Sequence, residues 1–232
     1  MPHDAYARIC RCLAFMPLFL LLVACNKEAP KPNTPEYRTA HGVIEGKSNT
    51  IQVAGSTFRL PRDVEFDVYT AGVIQAAKAD MLTLYFNMGF LFTPPRAGPA
   101  GKGEKHMIRT EISTKGNPAQ RVSLLSVEKT GTPVERTDLD LIEYPVNDPS
   151  FTDVSRTYIY QTRGSDNTTP PTEFFCWIVW SKDSSRKNGT CRTSFYSQSG
   201  LLIQSFFSYD LLKDWKSINK EVHDKTDAYV MK

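Results

Sequence analysis

The 232-residue chain is long enough for one large domain or two small ones, and one is the better expectation. With 41% hydrophobic and 23% charged residues it has ordinary globular composition, and aromatics at 11% lean towards β-structure. Arg8, Arg11 and Asp4 contribute +1 of the formal net charge of +3, so the chain beyond them carries about +2, too little for the concentrated basic face that nucleic acid requires.

Residues 1–25 read MPHDAYARICRCLAFMPLFLLLVAC. Arg8 and Arg11 form a positive leader, and Leu13 to Val23 is an apolar run. That run suits the core of an export signal and falls well short of the roughly 20 residues that span a bilayer. It ends in Leu22-Val23-Ala24-Cys25, which resembles a bacterial lipobox. The resemblance implies cleavage before Cys25 and lipid on that cysteine; the alternative is an ordinary cleaved signal, or a short uncleaved anchor, with Cys25 there by chance. Asn26 to Tyr37 (NKEAPKPNTPEY) is polar and carries Pro30, Pro32 and Pro35, so residues 25–40 are expected to form an extended tether before a single domain at 41–232. Asn26 stands where an aspartate would signal inner-membrane retention, so the resemblance favours the outer membrane, facing the periplasm.

Five cysteines are present. Cys10 and Cys12 leave with the leader and Cys25 takes lipid, so Cys176 and Cys191 remain as an even pair in an oxidising compartment, where a disulfide is expected. Two free buried thiols are the alternative. Asn188-Gly189 is a strong hairpin dipeptide, yet a turn there would carry Cys176 beyond bonding reach of Cys191. The bridge instead places the loop near Ser181 to Arg186.

In chain order, Val64, Phe66 and Val68 alternate with Glu65, Asp67 and Tyr69, the period of a half-buried strand. Val73 to Ala79 reads as a short helix. Met81 to Phe86, Met107 to Ser113, Arg121 to Val127 (with a break at Leu124-Leu125) and Tyr158 to Tyr160 continue as strands. Phe174 to Trp180 follows, with Phe175, Trp177 and Val179 on one face and Cys176, Ile178 and Trp180 on the other. Both faces are apolar, which predicts a central strand covered on both sides. Arg192 to Ser197, a turn at Gln198-Ser199-Gly200 and Leu201 to Phe207 give two more strands. Leu211, Leu212, Trp215, Ile218 and Val222 then recur at helical spacing, predicting an amphipathic helix across the sheet with Trp215 buried and Ser208 or Asp210 as its cap. Thr93 to Lys105, Asn147 to Val154 and Gly164 to Thr172 read as long loops. The fold class is α+β: a mostly antiparallel sheet with a C-terminal helix.

No pair among His41, His106 and His223 has metal-binding spacing, and all three read as surface residues. Thiolate ligands for zinc are already committed. No Gly-x-Ser-x-Gly elbow occurs, and Ser56 and Ser199 lie in turn-like contexts. Gly98 to Gly103 imitates a phosphate loop, but Arg96 and Gly103 stand where the motif needs glycine and a hydroxyl residue. Asp138 to Tyr144 alternates acids with apolar residues and reads as an edge strand guarded by charge, or else as an acidic partner-facing edge carrying Tyr144. No catalytic set, cofactor site or metal site is expected.

The lipobox, the Pro-containing tether, a β-rich domain opening near Ile51 to Pro61 and a Cys-bridged hairpin before a final helix together resemble periplasmic immunity lipoproteins of the type VI secretion kind. That resemblance implies a non-enzymatic module that binds and neutralises a toxin while held to the membrane by lipid. A structural or assembly lipoprotein of the envelope is the second class of function. A surface-tethered hydrolase, with a triad assembled from distant residues, is the third.

Overall fold

The computed structural model describes residues 29–87, 107–117, 129–146, 155–163, 172–180 and 186–231. The expected strand at Arg121 to Val127 and the loop segments 93–105, 147–154 and 164–171 lie outside these. Pro32–Lys232 form one compact unit.

Its first element is a helix, α1 (Pro35–Ala40), within the stretch expected to be tether. Thr34 caps it by accepting the Tyr37 amide at 3.2 Å, and Pro35 opens the first turn, where its missing N–H costs nothing. Tyr37 and Arg38 are buried, so the folded unit begins before His41.

A hairpin follows, β1 (Asn49–Val53) and β2 (Ser56–Leu60), turning at Ala54-Gly55 with φ of 48° and 77°. Positive φ at both central residues gives the turn the twist of its strands. β4 (Lys78–Ala79) adds to β1 in parallel. The expected helix at Val73 to Ala79 is therefore corrected to turns ending in a short strand. Val73 is 84% exposed, so no apolar stripe holds a helix against the core there.

The remaining strands are β3 (Glu65–Tyr69), β5 (Met81–Asn87), β6 (Met107–Lys115), β7 (Val134–Arg136), β8 (Leu141–Pro145), β9 (Ser155–Gln161), β10 (Glu173–Trp180), β11 (Arg186–Tyr196) and β12 (Leu201–Ser208). Among the described residues they form one antiparallel sheet in the order β3-β5-β6-β12-β11-β10-β9-β8-β7. A 3-10 turn (Tyr209–Asp214) leads into α2 (Trp215–Tyr229), so the α+β class and the C-terminal helix stand as read.

One sheet face holds the core. Phe66, Val68, Leu82, Leu84, Ile108, Ile112, Phe174, Cys176, Ile178, Cys191, Leu201 and Ile203 are all buried on it. α2 crosses this face: Ile218 and Val222 are fully buried, His223 stacks on Phe195 with centroids 4.0 Å apart, and Lys225 lies 5.1 Å over Phe86. Trp215 is half-buried rather than buried, because its indole N–H reaches out to donate to the Leu139 carbonyl at 2.9 Å. Ser208 precedes the 3-10 turn without a side-chain cap bond.

Burial against Phe195 holds the His223 imidazole below its ordinary 6.5, with Asp227 and Asp224 partly opposing. A base with a depressed folded pKa takes its proton more readily once unfolded. Stability is therefore unaffected above pH 6.5 and declines as pH falls below it. His223→Gln is expected to flatten the fall of melting temperature on acidification from pH 6.5. An unchanged slope would refute the assignment.

Candidate binding surface

Cys25, His106 and the Gly98 to Gly103 segment lie outside the described residues. Cys176 and Cys191 stand directly opposite each other on β10 and β11, with Cα atoms 4.1 Å apart, and are disulfide-bonded. Both are 0% exposed, so the bridge is a staple under the sheet. Asn188-Gly189 runs inside β11, opposite Val179 and Ile178, and the strands end on either side of 181–185, where the loop was expected. A Cβ on Gly189 would meet the Trp177 carbonyl at 2.7 Å and the Tyr209 Cβ at 3.0 Å. Close approach, rather than a turn, explains this glycine.

His41 is corrected from surface to core: it is 0% exposed. Its Nδ1–H donates to the Tyr37 carbonyl at 3.0 Å, leaving Nε2 to accept from the Thr70 hydroxyl at 2.9 Å. A histidine satisfied at both nitrogens by its own scaffold is structural. Ser56 lies in β2, and Ser199 bonds Ser197 across the turn before β12. Among the described residues no group of three or more His, Cys, Asp or Glu gathers as a metal cluster would.

The acidic stretch is also corrected. Asp138 and Asp140 belong to a turn, with Asp140 at φ 56°, and the strand that follows, β8, lies inside the sheet with β7 outside it. Glu143 points inward, 6% exposed, and accepts from Arg136 at 2.7 Å, so its charge is neutralised where it is buried. Tyr144 lies 4.4 Å beneath the Lys129 ammonium, which also bonds Glu173 at 2.8 Å. This region is a structural ion-pair network rather than an acidic edge.

The second face of β10 is not covered as expected. Trp177 is 48% exposed, and Phe175 and Val179 are half-buried. Strand register extends this open face into a single transverse row. Phe175 on β10 faces Arg192 on β11, and Arg192 faces Phe206 on β12. Phe206 in turn faces Arg109 on β6, Arg109 faces Tyr85 on β5, and Tyr85 faces Glu65 on β3.

Aromatic rings and guanidinium groups thus alternate across five strands. Arg192 lies 5.4 Å over the Phe175 ring and Arg109 lies 4.4 Å over Phe206, which are cation–π distances. Arg109 keeps 48% of its side chain exposed and has Glu111 at 3.4 Å. A depression of about 440 Å³ opens beside Phe206, lined also by Met107, Arg109, Thr190 and Ser208. The row ends where Tyr85 donates to Asp67 at 3.0 Å; burial, then that carboxylate, pushes the phenol above its usual range. Asp67 also accepts from Arg38 at 3.0 Å, tying this end to α1.

Aromatic and arginine side chains, here half-buried apart from Trp177 and part of Arg109, are the residue types that dominate protein interfaces.

No protein-family model matches the chain, and no curated protein matches it. Among solved structures it is similar to Smlt3025, an immunity protein of the Stenotrophomonas maltophilia type IV secretion system. That likeness has a TM-score of 0.52 at 15% identity and covers 81% of this chain and 94% of the other. It is also similar to the iron-regulated outer membrane lipoprotein FrpD of Neisseria meningitidis, with a TM-score of 0.42 at 10% identity over 87% and 97% of the two chains. The fold is shared with Smlt3025 over nearly that protein's whole length, and the neighbours are an immunity protein and a lipoprotein.

Proposed function

We propose that the chain is an envelope-anchored immunity protein, a non-enzymatic module that binds a toxin and blocks it. The observation carrying this reading is the fold shared with Smlt3025 across 94% of that chain. Two features support it independently: the lipobox-like Leu22 to Cys25, which would hold the domain at the outer membrane on the periplasmic side, and the open aromatic and arginine face, which suits protein binding. The sequence resembles type VI immunity lipoproteins and the fold neighbour serves a type IV system; neutralisation of a secreted toxin is the role carried over from both.

Binding rather than turnover suffices for such a role, since occupying a toxin's working surface already excludes its target. A toxin gene is expected beside this one, and cells carrying the full chain are expected to survive periplasmic expression of that toxin, cells lacking it to die. Survival of the deletion strain, or death despite the full chain, would overturn the proposal. Cys25→Ser is expected to move the protein from the membrane to the soluble periplasmic fraction; retention in the membrane would refute lipid anchoring.

A further inference from the structure

Between β3 and β4 the chain reads TAGVIQAA from Thr70 to Ala77, without a charged residue. Ala71, Gly72, Val73, Gln75, Ala76 and Ala77 are exposed, and Val73, at 84%, is the most exposed large apolar side chain among the described residues. The loop is nevertheless pinned along its length. The Tyr37 hydroxyl meets both backbone groups of Thr70, and the Thr70 hydroxyl donates to His41. The Ala77 amide donates to the His41 carbonyl at 2.8 Å, and the Ala77 carbonyl accepts from the Gln52 amide at 2.8 Å. Asp80 accepts the Ala71 amide at 2.8 Å and gives its own amide to the Tyr69 carbonyl at 2.9 Å. Ile74 packs inward against the core. An apolar tip on a braced loop loses little entropy when it meets a partner.

Tyr37 lies in α1 and His41 is its C-cap, so both ends of the loop are bonded to the element that the chain enters after Cys25. Pro35 is ten residues beyond Cys25, a link that spans at most about 35 Å when fully extended. A turn at Pro32-Asn33, with Asn33 at φ 64°, shortens it. A compact unit of about 200 residues is about 40 Å across. Lipid on Cys25 would therefore hold the surface around α1 close to the bilayer, and loop 70–77 is part of that surface.

Resting on the lipid anchor of the proposed function, we propose that loop 70–77 is a membrane contact, with Val73 entering the boundary between headgroups and acyl chains and so orienting the tethered domain. Without charge, the tip leaves water at no ionic cost. Tyr69, 42% exposed at the base of the loop, is of the residue type that settles at the headgroup level, and the exposed Lys78 suits lipid phosphate. One valine among alanines offers far less area than the roughly 800 Å² per partner of a stable protein interface. It is enough to add to an anchor that already keeps the domain at the surface.

The test uses the full chain, purified in detergent and reconstituted into vesicles of phosphatidylethanolamine and phosphatidylglycerol. An environment-sensitive fluorophore is placed on Val73→Cys or, as the comparison site, on Lys213→Cys in the exposed 3-10 turn after β12. Both variants should melt as the parent does, since both side chains are exposed. Emission from position 73 is expected to shift to the blue on vesicles and to be quenched by a nitroxide at the top of the acyl chains at least about 3-fold more than emission from position 213. Water-like, unquenched emission at position 73, or equal quenching at both positions, overturns the proposal. So does a dimer of the parent in detergent that Val73→Asp dissolves, which would place a second copy on the loop. Mass spectrometry of the N-terminal peptide separates this contact from the anchor. Lipid on Cys25 with position 73 in water leaves the anchor standing and the loop contact refuted. Quenching at position 73 without lipid on Cys25 leaves the contact standing and the anchor refuted.

Discussion

Tyr37→Ala is expected to destabilise the protein by about 3 kcal/mol, lowering the melting temperature by about 10 °C for a domain of this size. Tyr37 is 2% exposed although it stands in a stretch whose composition suggests a tether. Its ring packs 4.5 Å from His41, and its hydroxyl accepts the Thr70 amide at 2.7 Å while donating to the Thr70 carbonyl at 3.3 Å. One phenol thus satisfies both backbone groups of the residue that follows edge strand β3. Arg38 does similar work one residue on, donating to the Phe66 carbonyl, to Asp67 and to Glu45. α1 therefore covers an edge of the large sheet that would otherwise present unpaired groups to another chain. Tyr37→Phe should cost about 1 to 2 kcal/mol, separating the hydrogen bonds from the packing. A chain beginning at His41 should also aggregate on concentration, measured by light scattering. Urea midpoints for Tyr37→Ala and Tyr37→Phe that both match the parent would show α1 to be dispensable.

The alternation of Val64 to Val68, Met81 to Phe86 and Leu201 to Phe207 was readable because each strand buries one face and so repeats every two residues. α1 was unreadable for the opposite reason. Six residues are too few for a periodic stripe, and Pro32 and Pro35 give the segment a linker's composition although Pro35 is the first residue of the helix. His41 was misplaced because its burial depends on Thr70, 29 residues away. β10 carries apolar residues on both faces, and its sequence cannot tell a covered face from an open binding face. The row on that open face needs register. Phe206 meets Arg109 only because β12 pairs with β6, a pairing marked within the core by the Thr110 and Ser205 hydroxyls at 3.1 Å across 95 residues of sequence. The shift in register between Leu201 and Ile203 sets that alignment, and no local pattern shows it.

Replacing both members of the bridge, Cys176→Ala with Cys191→Ala, is expected to cost about 3 kcal/mol, because the bond closes a loop of 15 residues and its removal frees the unfolded chain. The melting temperature should fall by about 6 to 12 °C. A reductant should leave the native protein largely intact until it unfolds, since both sulfurs are fully buried and a thiolate cannot reach them. Rapid reduction under native conditions would contradict that burial. The second consequence is for binding. Cys176 and Cys191 face the core, so their chain neighbours Phe175 and Arg192 face outward and opposite each other. The bridge thereby locks the register that begins the aromatic and arginine row, and a slip of one residue would turn Phe175 inward and Cys176 outward. The bridgeless variant should therefore lose affinity for a protein partner of this face even at temperatures where it is fully folded by circular dichroism. Unchanged affinity in the folded variant would mean that backbone pairing alone holds the register, and that the bridge contributes stability only.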